Sequence, residues 1–194
     1  IRVYGVDASL NLRQLVDDFF LFVQSKSIEI YNEFSLQHEL GIFLREKLPD
    51  YRIQFERNVS YFTPDNKTIK KEVDITIFNE DKSEKYAIEL KFPLNGQYPE
   101  QMYSFVKDIK FMEELKNRGF TKTAAVALVS DRPFYEGRNN EGIYRFFREE
   151  YSVYGCIFKP TGVGKNKDSI ALTSRYDFIW QDLSDGRKYY IIEI

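Results

Sequence analysis

The spacing of hydrophobic positions changes along the chain, and each change predicts a different element. Apolar residues recur every three or four positions in residues 11–25 and again in residues 27–48, where Pro49 ends the pattern. Both segments are predicted helices. From Tyr51 onward the spacing becomes two, and residues 51–62, 70–80 and 85–93 alternate apolar with polar side chains. The polar segments between them are typical of turns, so three successive strands are predicted.

The second half returns to helical spacing and then breaks into shorter elements. Residues 100–120 predict a helix, and the apolar run at 123–131 predicts a buried strand that this helix connects to the preceding one. Residues 141–151 predict a short helix. The segments 153–160 and 168–174 predict strands, with Cys156 buried in the first, and segments 177–183 and 187–194 predict a hairpin that turns at Asp185 and Gly186.

Composition favours a single domain without export or membrane signals. The 194 residues are 43% hydrophobic and show no break typical of a linker, so residues 1–194 are predicted to form one core. The single cysteine excludes an internal disulfide framework and favours a reducing cytoplasm. No run approaches the roughly 20 apolar residues that cross a bilayer, so no membrane partner is expected. A net charge of −2 disfavours indiscriminate coating of nucleic acid but allows a local basic cleft.

The hairpin of residues 70–93 places two acidic residues side by side. With its turn at residues 81–82, the register pairs apolar side chains on one face: Ile77 with Tyr86, Ile75 with Ile88, and Val73 with Leu90. On the other face Asp74 lies opposite Glu89, and Glu72 lies opposite Lys91. Adjacent carboxylates repel unless a proton or cation lies between them, and Mg²⁺ prefers oxygen ligands completed by water and a substrate phosphate. With Lys91 beside them to hold a water or to neutralise charge at phosphorus, these side chains predict metal-assisted phosphodiester hydrolysis.

Asp74, followed after fourteen residues by Glu89-Leu90-Lys91 on a hairpin between helices, resembles the PD-(D/E)xK superfamily of restriction-endonuclease-like nucleases. Val73 stands where the motif has its proline, a frequent departure in that group. The resemblance implies an α/β (α+β) fold with a mixed central sheet and flanking helices. Its core of helix, three strands, helix and strand covers residues 27–130, with residues 1–26 as an N-terminal helix and residues 131–194 as a C-terminal β extension.

The resemblance also implies the roles of particular residues. Asp74 and Glu89 become the metal-binding acids and Lys91 the catalytic lysine, with Mg²⁺ as the cofactor and Mn²⁺ as a substitute. Members of the group often add a glutamate from the first core helix. Glu33 and Glu39 compete for that role, and Glu39 is preferred because it lies about three helical turns before the first strand.

The resemblance leaves the substrate and the activity partly open. Gln101, in the helix after the motif, is a candidate for a substrate-binding residue of the cleft. DNA is favoured over RNA by the resemblance alone, and many members pair as homodimers to cut both strands. A catalytically silent module that binds nucleic acid or protein on the same scaffold stays open as the alternative.

Residues 159–167 form a glycine-containing segment with three lysines, Lys159, Lys165 and Lys167. The segment fails as a phosphate-binding loop because Asn166 stands where serine or threonine is required. Its lysines suit contacts to a nucleic-acid backbone, and a solvated surface loop fits equally well. His38 is the only histidine, which excludes His-rich metal sites and most catalytic triads.

Overall fold

A six-stranded mixed sheet organises the protein, which a computed structural model describes for residues 9–194. The helices are α1 (Leu12–Ser25), α2 (Glu33–Lys47), α3 (Tyr98–Asn117) and α4 (Ile143–Arg148). The strands are β1 (Arg52–Asn58), β2 (Glu72–Phe78), β3 (Lys85–Lys91), β4 (Lys122–Val129), β5 (Ser152–Val153), β6 (Cys156–Phe158), β7 (Ser169–Ala171), β8 (Tyr176–Asp177), β9 (Gln181–Asp182) and β10 (Lys188–Glu193). The central sheet has the order β1-β2-β3-β4-β10-β9.

The strand directions follow the sequence of connections. Strands β1, β2 and β3 form an antiparallel meander, in which residues 59–71 connect the first pair and residues 79–84 connect the second. Helix α3 then carries the chain across the sheet, so that β4 pairs with β3 in parallel. Strand β10 then returns antiparallel to β4. The predicted order of helix, three strands, helix and strand is confirmed, together with a mixed sheet and flanking helices.

Helix α2 begins later than its apolar spacing predicts. Asn32 and Ser35 form a reciprocal capping box, so the first helical residue is Glu33 rather than residue 27. This start sets Glu33 on the first turn, close to the end of β3. It also leaves Phe34 on the outer side of the helix, where its side chain is 80% exposed although the helical pattern predicted it inward.

Two separate cores cover the two faces of the sheet, so the prediction of a single core is wrong. Helices α1 and α2 pack on one face against strand residues such as Ile75, Ile88 and Val126. Helix α3 packs on the other face together with α4 and the C-terminal segments, against residues that include Ala125 and Tyr190. The alternation of side chains along each strand explains this arrangement, because neighbouring residues point to opposite faces.

The C-terminal third extends the second core and completes the sheet. The predicted hairpin is present as β9 and β10, with Lys188 paired to Asp182. Glu113 of α3 is buried and accepts hydrogen bonds from the amide and hydroxyl groups of Thr173, from the Ser174 amide and from the Tyr176 hydroxyl, which ties this region to α3.

The strands β6 and β7 form a separate two-stranded ribbon. Cys156 is exposed, so its predicted burial is wrong. In β6 it is the neighbouring Ile157 that faces the core. Among residues 9–194, no helix is both long and apolar enough to cross a membrane.

Candidate active site

The predicted hairpin register holds for only part of its length. Ile75 pairs with Ile88 and Ile77 with Tyr86, as the alternation requires. The backbone pairing ends there. The predicted continuation to Val73 opposite Leu90 is wrong, and the predicted direct pairings of Asp74 with Glu89 and of Glu72 with Lys91 are not formed. Val73 packs in the core beneath α3, whereas Leu90 packs in the core beneath α1 and α2.

The carboxylates of Asp74 and Glu89 replace the missing backbone pairing. Oε1 of Glu89 accepts a hydrogen bond from the Asp74 amide at 3.0 Å, and Oδ2 of Asp74 accepts one from the Leu90 amide at 2.8 Å. Each acid therefore uses one oxygen to join the two strands. The two carboxylates are thus held close together, as the sequence predicted, and each has one oxygen left for another partner.

A lysine that the sequence analysis missed lies against this pair. The ammonium of Lys70, from the segment just before β2, contacts Oε2 of Glu89 and also lies 3.1 Å from Oδ1 of Asp108. Oδ2 of Asp108 in turn lies 3.4 Å from the ammonium of Lys91. We refer to these five residues, Lys70, Asp74, Glu89, Lys91 and Asp108, as the charged cluster.

The charged cluster is largely shielded from solvent. Glu89 is fully buried and Asp108 is 3% exposed, while the side chains of Lys70 and Lys91 keep 24% and 17% of their surface exposed. Buried charges are costly unless they are paired, so burial explains why each carboxylate here has a cationic or amide partner. Two lysines and three acids in one place are the kind of arrangement that functional sites maintain.

Burial, and after it nearby negative charge, raises the pKa values of the two strand acids. Burial raises the pKa of Asp74 from 3.8 to about 6, against the opposing effects of the Leu90 amide and the Lys70 ammonium. The pKa of Glu89 lies well above its usual range, because of burial and then the charges of Asp108 and Asp74. Without a further cation, the two acids therefore resist holding two full negative charges at once.

Lys91 remains cationic in this environment. Burial alone lowers the pKa of a lysine, but the carboxylates of Asp108 and Glu33 outweigh that effect and raise the pKa of Lys91. The same balance, with Asp108 and Glu89 as the acids, raises the pKa of Lys70. Both ammonium groups are thus suited to stabilise negative charge rather than to remove a proton.

A cleft of 380 Å³ opens beside Lys91. Glu33, Gln101 and Ser104 line it together with Lys91, and the Glu33 carboxylate accepts a hydrogen bond from the Phe92 amide at 2.9 Å. Gln101 therefore lies in the cleft, where the sequence analysis suggested a substrate contact. Exposed Phe34 and Leu94 form part of the rim.

The two candidate glutamates of α2 occupy different positions. Glu33 lines the cleft beside Lys91, whereas Glu39 does not line it. Six residues along a helix correspond to a rotation of about 240°, so the two side chains cannot share a face. The structure brings Glu33, the alternative that was set aside, to the charged cluster. The late start of α2 at its capping box places it there.

The three lysines of residues 159–167 lie apart from the charged cluster. Lys165 lines a different cavity of 790 Å³, formed by α4, the ribbon of β6 and β7, and the start of α3. The Lys159 ammonium donates to the Val163 carbonyl at 2.6 Å within its own loop. Lys167 sits in the same loop, where its amide donates to Gly164. Their proposed contact with a nucleic-acid backbone remains a prediction.

The carboxylate oxygens of Asp74 and Glu89 are the candidates in the charged cluster for binding a hard divalent cation. Oδ1 of Asp74 makes no hydrogen bond within residues 9–194 and is accessible to solvent. Oε2 of Glu89 already binds a positive group, the Lys70 ammonium. No group of three or more His, Cys, Asp or Glu side chains within those residues is arranged to hold a metal. Two carboxylates are nevertheless a common protein contribution for Mg²⁺, which keeps several waters and binds substrate phosphate.

Comparison with known proteins adds no further assignment. No protein-family model, no curated protein and no solved structure matches the chain. The confirmed class is an α+β protein with a mixed central sheet and flanking helices, and the chemistry of its site must be inferred from the charged cluster and the cleft.

Proposed function

We propose that the protein is a Mg²⁺-dependent nuclease of the PD-(D/E)xK type, with a restriction-endonuclease-like core, that hydrolyses phosphodiester bonds of DNA. The observation that carries the proposal is the pairing of Asp74 with Glu89 across β2 and β3, next to a cleft that contains Lys91. A structural sheet has little reason to bury two adjacent carboxylates whose pKa values are both raised.

In this proposal the acidic side chains bind the metal ion and Lys91 stabilises negative charge. Asp74 and Glu89 hold Mg²⁺, or Mn²⁺ in its place, and the bound ion supplies Lewis acidity and a more acidic water. Lys91 keeps its charge through Asp108 and Glu33 and faces the cleft, where it stabilises the negative charge that develops on the scissile phosphate. Lys91 acts electrostatically and does not serve as the general base.

The rim of the cleft suits a nucleic-acid substrate. Phe34 is 80% exposed and Leu94 is 62% exposed, and both line the cleft together with Lys91. An exposed aromatic ring near a lysine is a suitable platform for an unstacked base. Gln101 offers an amide to the sugar-phosphate backbone from the opposite wall, on α3. DNA is preferred over RNA by family resemblance.

One feature favours a second candidate, the catalytically silent binding module. Lys70 already pairs with Glu89 and Asp108, so an ammonium neutralises the acids without any metal ion. A scaffold that had lost catalysis but kept its fold would be stabilised by such a pairing.

The test compares cleavage and binding in one set of variants. Supercoiled plasmid, linear duplex, single-stranded DNA and RNA are incubated with Mg²⁺, Mn²⁺ or a chelator and with the wild type, Lys91→Met or Asp74→Asn. Lys71→Met serves as a surface control, since the Lys71 ammonium, within the part of the chain that the structure describes, binds only the Asn66 carbonyl. The proposal expects metal-dependent cleavage that falls by about 100-fold or more in the two site variants and is unchanged in the control. Equal and negligible cleavage by all four proteins, with salt-dependent retention on DNA, would instead establish the binding module.

A further inference from the structure

We propose that Lys70 determines the metal affinity of this site, because its ammonium and a divalent cation exclude each other at Glu89. This inference rests on the proposed function. It adds a residue that the motif does not contain. It also implies that, without metal, the Lys70 ammonium occupies the position at Glu89 that the metal ion would take.

Both oxygens of Glu89 already have partners. Its Oε1 accepts from the Asp74 amide, which joins β2 to β3, so the carboxylate cannot turn away without breaking the sheet connection. Its Oε2, the oxygen that is free of backbone contacts, is the atom that the Lys70 ammonium contacts. A metal ion that binds Oε2 therefore competes with the ammonium for the same atom.

The charges in the cluster favour exchange over joint occupancy. Three carboxylates and two ammonium groups leave one net negative charge when all are ionised. A divalent ion in place of Lys70 makes the sum zero, whereas a divalent ion beside it leaves an excess positive charge in a buried place. Like charges at such short range repel strongly where water is scarce.

Lys70 can leave Glu89 without any movement of its backbone. The segment before it is fixed by α3: the Ile69 amide donates to Glu114 at 2.8 Å, and Arg118 donates to the carbonyls of Asp65 and Lys67. The Lys70 side chain is already 24% exposed, so rotation of its flexible stem is enough to carry the ammonium away from Glu89 and Asp108 into solvent. Its charge then leaves the buried cluster as the divalent ion enters.

The experiment measures Mn²⁺ binding to the full chain, by calorimetry and by the loss of the free Mn²⁺ electron paramagnetic resonance signal. Lys70→Met keeps the length of the side chain without its charge, and Lys71→Met is the matched neighbour. In the wild type, Mn²⁺ must displace the charged hydrogen bond between Lys70 and Glu89, and Lys70→Met has no such bond to lose. Lys70→Met is therefore expected to bind Mn²⁺ about 10- to 100-fold more tightly than the wild type. Lys71→Met is expected to bind like the wild type.

The outcomes separate this inference from the proposed function. Tighter binding by Lys70→Met supports competition, and so does binding by that variant alone when the wild type shows none. Equal or weaker binding by Lys70→Met overturns the inference while the metal site stands. Absence of binding in both proteins overturns the inference and the proposed cofactor together.

A second measurement uses the wild type alone and does not depend on the variant's folding. Lysines are acetylated briefly with and without Mn²⁺, and the modified sites are quantified by mass spectrometry. Displacement from the buried Glu89 predicts a several-fold rise in Lys70 modification with Mn²⁺, while Lys71, exposed in both states, should not change. An unchanged Lys70 signal in a sample shown to bind Mn²⁺ would refute displacement.

Discussion

Replacing Asp74 with asparagine is expected to stabilise the metal-free protein, and by more as the pH rises. Burial raises the pKa of Asp74 from 3.8 to about 6, so the folded protein favours the neutral acid. The stabilising contribution of that neutral form is complete below the unfolded pKa and is lost as the pH rises through the folded pKa. Asparagine is neutral at every pH and keeps a carbonyl oxygen for the Leu90 amide.

The size of the effect follows from the two pKa values. One pKa unit corresponds to about 1.4 kcal/mol, so the variant should exceed the wild type in unfolding free energy by about 1 kcal/mol at pH 4.5 and by about 3 kcal/mol at pH 8. The change between these pH values is more informative than either value alone. Effects of the substitution that do not involve titration cancel in that difference.

Urea denaturation in the presence of a chelator, at several pH values between 4.5 and 8, measures the difference directly. Asp81→Asn is the matched control: Asp81 is exposed, and hydrogen bonds from Ser83 lower its pKa, so its removal should bring no gain in stability as the pH rises. A difference between Asp74→Asn and the wild type that stays flat with pH would refute the reasoning. It would mean that the lysines and amides around Asp74 already compensate its charge fully, which removes the electrostatic need for a metal ion.

Two further substitutions test the placement of residues in the fold. Glu33→Gln should lower metal-dependent cleavage by about tenfold or more, whereas Glu39→Gln should leave it near the wild-type rate, because of these two glutamates only Glu33 lines the cleft. Comparable losses of cleavage in both variants, at equal melting temperature, would contradict this placement. Glu113→Gln should lower the unfolding free energy by about 2 to 4 kcal/mol, because the buried Glu113 carboxylate accepts hydrogen bonds from Thr173, Ser174 and Tyr176. Urea denaturation measures this loss beside the surface variant Glu100→Gln. Equal stability of the two variants would count against a structural role for Glu113.

The sequence alone was sufficient to predict the order of the core elements from α1 to β4. Apolar spacing of three and four, then of two, identifies the helices and strands because each periodicity is a local property of one segment. The same alternation sets Ile75 against Ile88, but it ends there, and Asp74 meets Glu89 through hydrogen bonds between side chains and backbone amides. Capping is local as well, but the reciprocal bonds of Asn32 and Ser35 were not predicted, so the predicted start of α2 was too early.

Tertiary structure decided which residues surround the acids. Lys70 and Asp108 are separated by 38 positions in sequence and meet only because α3 crosses the sheet over β3. Glu33 reaches the cleft because the end of β3 passes the first turn of α2. Such contacts depend on how whole elements pack, and no local periodicity records them. Asp74, Glu89 and Lys91 were therefore proposed from the sequence, whereas Lys70 and Asp108, which surround them in the charged cluster, were not.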